Sequence, residues 1–333
     1  PAAKAGIKPG DLIVKIDDAP VQGMSINDAV TKMRGDPGTK VKLIVVRDNT
    51  PQPLTFDLKR DVIKVSSVRG RMLEPGYAYV RISQFQTDTG KNFEETIAKL
   101  KKQSGGELKG MVLDLRNNPG GLLDQAIDVA DIFLDRGEIV SQRGREKNDI
   151  ERRYATASPP DLAHGLPIIV LVDAGSASAA EIVAGALQDQ KRALVMGERT
   201  FGKGSVQTVI DLSDETALKL TTARYYTPSG RSVQEGGIKP DLRVPQLSDA
   251  DYKDRPRLRE SDLRRHLINE AKVDDKVLED DGKPDPRFQL TAADLKKQGI
   301  EDFQLDYAVK TIARMAQPPL RTAQGGAKKT GAR

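Results

Sequence analysis

No cysteine and no tryptophan occur among the 333 residues, and there are only two histidines, His164 and His266. Without cysteine the chain has no disulfide framework, no thiolate metal site and no thiol nucleophile, and it suits the cytosol and the periplasm equally. Aromatic residues make up 4% of the chain, so platforms for stacking bases or sugars are scarce. Charge is nearly balanced, 53 Lys and Arg against 48 Asp and Glu for a net +5. Four of the positive charges, Arg321, Lys328, Lys329 and Arg333, sit in an acid-free tail, which leaves no basic face and no footprint for nucleic acid. No apolar run approaches the length of a membrane span, the longest resembling Leu166 to Val172. No signal peptide is visible. The sequence opens without Met in the middle of a pattern, Pro1-Ala2-Ala3-Lys4-Ala5-Gly6, which is compatible with a targeting segment upstream.

What is present is enough apolar content, 38%, to build two or three domains at this length. With cysteine gone and neither histidine in a catalytic-looking context, serine and lysine are the economical nucleophile and base. Residues 168 to 207 supply both. The apolar run Ile168 to Val172 ends in Asp173-Ala174-Gly175-Ser176-Ala177-Ser178-Ala179-Ala180-Glu181, the pattern of a buried strand, a small-residue elbow and a helix start. A hydroxyl placed there lies beside free backbone N–H groups able to receive an oxyanion. Lys203 follows Ser178 by 25 residues, between Gly202 and Gly204, in Thr200-Phe201-Gly202-Lys203-Gly204-Ser205-Val206-Gln207. A lysine serves as a base only when neutral, a state that burial favours, and Phe201 and Val206 are the expected sources of burial. Glu181, in the first helical turn, is expected to favour the positive end of the helix dipole. Asp114 and Arg116 are expected to end a strand and to pair locally or brace the following loop.

The pattern along the chain predicts a mixed α/β fold. Residues 1–62 read as a small β-rich unit. It has a strand at Leu12 to Ile16, a helix capped by Ser25 with Ile26, Ala29, Val30 and Met33 on one side, and strands at Val41 to Arg47 and Leu54 to Leu58. Residues 63–245 alternate strands and helices. Strands are predicted at Tyr77 to Ile82, Lys109 to Leu115, 168–172, 193–196, 205–211, 217–223 and 242–244. Helices are predicted at Thr89 to Lys102, Leu122 to Leu134 and 179–188, with a polar segment at 141–165. Residues 246–316 carry helical patterns at 261–271, 291–298 and 304–315. The apolar face of the last, Leu305, Ala308, Val309, Ile312 and Met315, is suited to packing on its own domain or on another subunit. Residues 317–333 have the composition of a disordered basic tail.

Two resemblances arise from these motifs. Ala5-Gly6-Ile7-Lys8-Pro9-Gly10-Asp11 and the helix after it resemble the C-terminal two-thirds of a bacterial-type PDZ domain, without the carboxylate-binding loop and its following strand. Leu113-Asp114-Leu115-Arg116-Asn117-Asn118-Pro119-Gly120-Gly121-Leu122, the Gly-Ser-Ala-Ser elbow, the Gly-Lys-Gly loop with Gln207, and Thr221 to Arg231 together resemble the carboxy-terminal processing peptidases, or tail-specific proteases, of the Ser-Lys type. This similarity, with the PDZ-like start, spans residues 1 to about 245. It implies Ser178 as nucleophile, with Ser176 the outside candidate, Lys203 as base and Gln207 as the residue that orients it. It also implies an oxyanion hole from the N–H of Ala179 and that of Gly120 or Gly121. The implied enzyme is a serine endopeptidase that reads the C-terminal regions of protein or peptide substrates, needs no metal or cofactor, and works in the periplasm or another export compartment. An adaptor protein, or a homo-oligomer built through the C-terminal helices, is compatible with it.

Two rival readings are weaker. Gly197-Glu198-Arg199-Thr200-Phe201-Gly202-Lys203 fits a phosphate-binding loop, with Met111 to Asp114 as the Mg²⁺-binding strand of a nucleotide hydrolase. Gly204, however, stands where Ser or Thr would have to reach the metal, and the residues after it alternate like a strand. A non-catalytic PDZ scaffold would be favoured only if Ser178 or Lys203 were missing. A triad of Asp114, His164 and a serine requires a loop histidine beside Gly165, which is a poor setting for one.

Overall fold

The structure, a computed structural model, describes residues 1–63, 66–156, 165–213, 216–252, 257–270 and 285–316. The chain divides into two units, Pro1–Val65 and Ser66–Arg333, whose hydrophobic cores share no residue. Among the described residues no helix is long and apolar enough to cross a membrane.

In the first unit a short helix α1 (Ala2–Ala5) precedes the strands β1 (Leu12–Ile16) and β2 (Ala19–Pro20). Helix α2 (Ile26–Met33) then leads to β3 (Lys40–Val46) and β4 (Leu54–Lys59), and the antiparallel sheet has the order β2-β1-β3-β4. In β3, Val41, Leu43 and Val45 are buried while Lys40 and Lys42 face water, the period of two expected of a sheet covered on one face. Ser25 starts α2 by a reciprocal cap. Its hydroxyl accepts the Asp28 N–H at 3.2 Å, and the Asp28 carboxylate accepts the Ser25 N–H at 3.3 Å.

The second unit contains β5 (Val68–Glu74), β6 (Tyr77–Ile82), α3 (Thr89–Gln103), β7 (Gly110–Asp114) and α4 (Leu123–Asp131). These are followed by β8 (Glu138–Arg143), β9 (Ile150–Tyr154), β10 (Ile168–Val172), α5 (Ala179–Asp189) and β11 (Leu194–Gly197). Then come β12 (Ser205–Ser213), β13 (Thr216–Tyr226), β14 (Leu242–Arg243), a single 3₁₀ turn (Glu260–Asp262), α6 (Ala292–Lys297) and α7 (Phe303–Met315). The central sheet runs β14-β11-β10-β7-β6-β5, parallel except for the β5–β6 hairpin. Strands β7 and β10 are buried at every position because both faces of this sheet are covered. Met111, Leu113, Ile168 and Val170 belong to the core with Phe93, Val129 and Val183 of α3, α4 and α5. Val112, Ile169 and Leu171 belong to a second core with Leu295, Leu305, Ala308 and Ile312 of α6 and α7. A smaller antiparallel sheet, β12-β13-β8-β9, completes the unit.

Leu305, Ala308 and Ile312 of α7 are thus packed on its own sheet, one of the two outcomes that its sequence left open, while Met315 stays exposed. The helix expected at 261–271 does not form among the described residues. There the Gln234–Glu235 turn takes the groups that helix bonds would use: Gln234 Nε2 donates to Leu267 O at 2.7 Å, Asn269 N to Glu235 Oε2 at 2.8 Å, and Asn269 Nδ2 to Gln234 O at 2.8 Å. Strand β5 was not expected. Strands β8 and β9 occupy part of the segment read as polar. Position 164 and residues 317–333 lie outside the described residues.

Candidate active site

Strand β10 delivers the chain to a sharp elbow at its carboxyl end, and Ser178 is the residue that turns it. With φ 52° and ψ −114°, Ser178 holds a backbone conformation that L-residues rarely adopt, and α5 begins at the next residue. Hydrogen bonds hold the turn from three sides. Ala177 N donates to Asn118 O at 2.9 Å, Phe201 N to Ser176 O at 3.0 Å, and Ser178 N to Glu181 Oε2 at 2.7 Å. Ser176 is fully buried and structural, its hydroxyl donating to Leu115 O at 2.8 Å and accepting the Asp173 N–H at 3.0 Å. Ser178 is partly exposed.

One buried carboxylate ties this elbow to the lysine loop. Glu181 is fully buried and receives four donors: the N–H of Ser178 (2.7 Å) and of Lys203 (2.9 Å) on Oε2, and the N–H of Gly202 (2.7 Å) and the Thr200 hydroxyl (2.5 Å) on Oε1. Two amides on a single oxygen place the main chains of Ser178 and Lys203 within two hydrogen-bond lengths of each other. Burial pushes the Glu181 carboxyl up to about 7, against the hydrogen bonds that favour its charged form. Its placement as a dipole partner is therefore the lesser part of its role. A carboxylate three residues after the serine was visible in the sequence, but its long-range partners were not. Lys203 is partly exposed, and its ammonium meets no acidic partner among the described residues. Gln207 lies exposed on β12 opposite Thr221, with no hydrogen bond to Lys203 among the described residues.

The third element is the loop after β7. Asn117, Gly120 and Gly121 all have positive φ, at 53°, 97° and 140°. A Cβ on Gly120 would lie 2.8 Å from Ser178 Cβ and 2.9 Å from Ala179 N, so only glycine lets the loop approach the elbow this closely. At Gly121 it would lie 2.0 Å from Phe85 O. The Gly120 N–H donates to Asn118 Oδ1 at 2.9 Å, whereas those of Ala179 and Gly121 have no acceptor among the described residues. At the root of this loop, Arg116 makes two bonds to the Asp114 carboxylate, Nε to Oδ1 at 3.0 Å and a terminal nitrogen to Oδ2 at 2.7 Å. Tyr79 OH also donates to Asp114, at 2.8 Å. The expected bracing of the loop by Asp114 and Arg116 is present. A cavity of about 550 Å³ is lined by Asn117, Gly175, Phe201 and Tyr252, among others.

This geometry disfavours the phosphate-binding reading, because the Gly-Lys loop runs into strand β12 where such a loop would open a helix. Residues 76–244 match the family model described as Peptidase family S41, and residues 1–47 match a PDZ domain. A "Carboxy-terminal-processing protease" of Bartonella bacilliformis is 50% identical over 325 residues, covering 96% of this chain and 71% of the relative. The "Carboxy-terminal processing protease CtpA" of Bacillus subtilis is 39% identical over 244 residues, covering 73% of this chain and 51% of the relative. A solved structure titled "Photosystem II D1 C-terminal processing protease" is 36% identical, with a TM-score of 0.48, over 73% of this chain and 65% of that one. The chain therefore spans about half to two-thirds of the length of several relatives that it matches. It belongs to peptidase family S41, as a serine-type peptidase of the carboxy-terminal processing kind with a PDZ domain ahead of its protease core.

Proposed function

We propose that Ser178 attacks the scissile carbonyl, that Lys203 takes the serine proton and passes it to the leaving amine, and that water then hydrolyses the acyl-enzyme. The N–H groups of Ala179 and of Gly121 or Gly120 hold the tetrahedral oxyanion. Gln207 orients the lysine. The observation that carries this reading is the Glu181 carboxylate, which holds the Ser178 and Lys203 amides on one oxygen and so makes the elbow and the Gly-Lys loop one assembly. The substrates are unstructured C-terminal regions of proteins, selected through the PDZ unit, and the enzyme acts in the periplasm or an equivalent export compartment. An adaptor that delivers substrate and self-association through the C-terminal region are compatible with it.

The test is cleavage of casein and of a fluorogenic peptide. Ser178→Ala should abolish turnover with the fold intact. Lys203→Arg should fail almost as completely as Lys203→Ala, because a guanidinium cannot give up its proton to serve as a base. Near-normal turnover in Lys203→Arg would remove the lysine from that role.

A further inference from the structure

We propose that the start of α7 is a working part of the active site, with Asp302 positioning the oxyanion loop through Arg116. This segment lies beyond the residues 76–244 that match the protease family model. Asp302 caps α7 by accepting the Leu305 N–H on Oδ1 at 3.0 Å, and the same carboxylate takes both terminal nitrogens of Arg116, at 2.9 and 2.7 Å. Gln304, one residue into the helix, accepts a third bond from Arg116 at 3.0 Å and donates to Val244 O at 2.8 Å. Gln246 Nε2 also donates to Asp302 Oδ1, at 2.8 Å. The guanidinium is thus gripped between the Asp114 carboxylate at the end of β7 and the cap of a helix 186 residues further along the chain.

The main chain of Arg116 is the root of the loop that presents Gly120 and Gly121 to Ser178. Its N–H is fixed to Asp114 Oδ1 at 2.9 Å and its carbonyl accepts Arg81 at 3.1 Å, so the backbone and the side chain of Arg116 are pinned together. Without Asp302 the buried guanidinium would keep Asp114 and Gln304 but lose two charge-assisted bonds, and the loop root would be free to tilt with it. Oxyanion donors act through position, and small displacements forfeit much of their effect on the transition state while changing substrate binding little. Asp302 touches no reacting atom and is a positioning residue.

The inference rests on the reading of Ser178 and the loop amides given above. The decisive variant is Asp302→Asn, which keeps the helix cap and the side-chain volume and removes the charge. Peptide cleavage by the 333-residue chain, measured well below each variant's Tm, should show kcat lowered about tenfold with KM within about twofold. Ile312→Ala is the packing control. It loosens α7 on the sheet without touching Arg116, so it should lower Tm and leave kcat near wild type. If Asp302→Asn does not fold, Arg116→Lys replaces it and should show the same loss, since lysine keeps the charge but not the fork. A kcat within twofold of wild type in Asp302→Asn, a loss confined to KM, or an equal fall of kcat in Ile312→Ala overturns this inference alone. A wild-type chain without Ser178-dependent cleavage overturns it together with the proposed function.

Discussion

Glu181 is the side chain on which most of the site converges, and its four donors decide what a substitution does. All four bonds are accepted by the carboxylate, so Glu181→Gln keeps the volume but turns an NH₂ toward backbone N–H groups, leaving donors unsatisfied in a buried place. The expected cost is about 1–3 kcal/mol of stability. Turnover should fall by an order of magnitude or more, with KM changed far less. The pH dependence has a definite sign. The folded chain holds the Glu181 proton up to about 7, against 4.5 for the ordinary side chain, so between those values the folded state binds more protons than the unfolded one. Its contribution to stability therefore falls as pH rises through that window. Only the charged form accepts all four donors, so kcat should climb through a limb near neutrality in the wild type, and that limb should be missing from the pH–rate profile of Glu181→Gln. A limb unchanged by the substitution would assign it to another group.

At the scale of elements, the loop after β7 is set by what its glycines permit. Gly121 bridges to Phe85, and a methyl group there would overlap the Phe85 carbonyl, so Gly121→Ala must push the segment after β6 away from the loop. We expect a loss of about 1–3 kcal/mol in thermal unfolding and near-complete loss of turnover. A variant with normal kcat would show that the loop's approach to the elbow is not critical. Such elements were legible in the sequence where local pattern and tertiary demand agree. The apolar run of β10, the small-residue elbow and the glycines flanking Lys203 each need particular residue types at particular places. The segment at 263–270 was not legible, because its helical spacing lost to side-chain bonds from Gln234 and Glu235 that no local pattern announces. Strand β9 was missed for the opposite reason. It is an exposed edge with no buried position, so it carries no alternation of apolar residues. The grip of Asp302 on Arg116 was equally hidden, since each residue alone reads as an ordinary helix cap or strand-end charge.

For the whole molecule, the separation of the two cores has a measurable consequence. Ile16, Val41, Leu43, Val45 and Leu58 make up the buried core of the first unit, whereas the second unit buries both faces of a six-stranded sheet. A unit of about 65 residues with so small a core is only marginally stable, and its unfolding enthalpy should be roughly 45 kcal/mol near 60 °C. Calorimetry should therefore resolve a small early transition ahead of a larger one. Leu43→Ala, which empties part of the first core, should cost about 2–4 kcal/mol there and move only the early transition. If the first unit reads substrate C-termini, warming through the early transition should erase the preference for a peptide with a free terminal carboxylate over its amide, while Ser178-dependent cleavage of both continues up to the second. Leu43→Ala should shift that loss of preference to lower temperature by the same interval as the calorimetric peak. A single transition moved as a whole by Leu43→Ala would mean that the two units unfold together, and a preference that survives the early transition would place C-terminal recognition in the protease core.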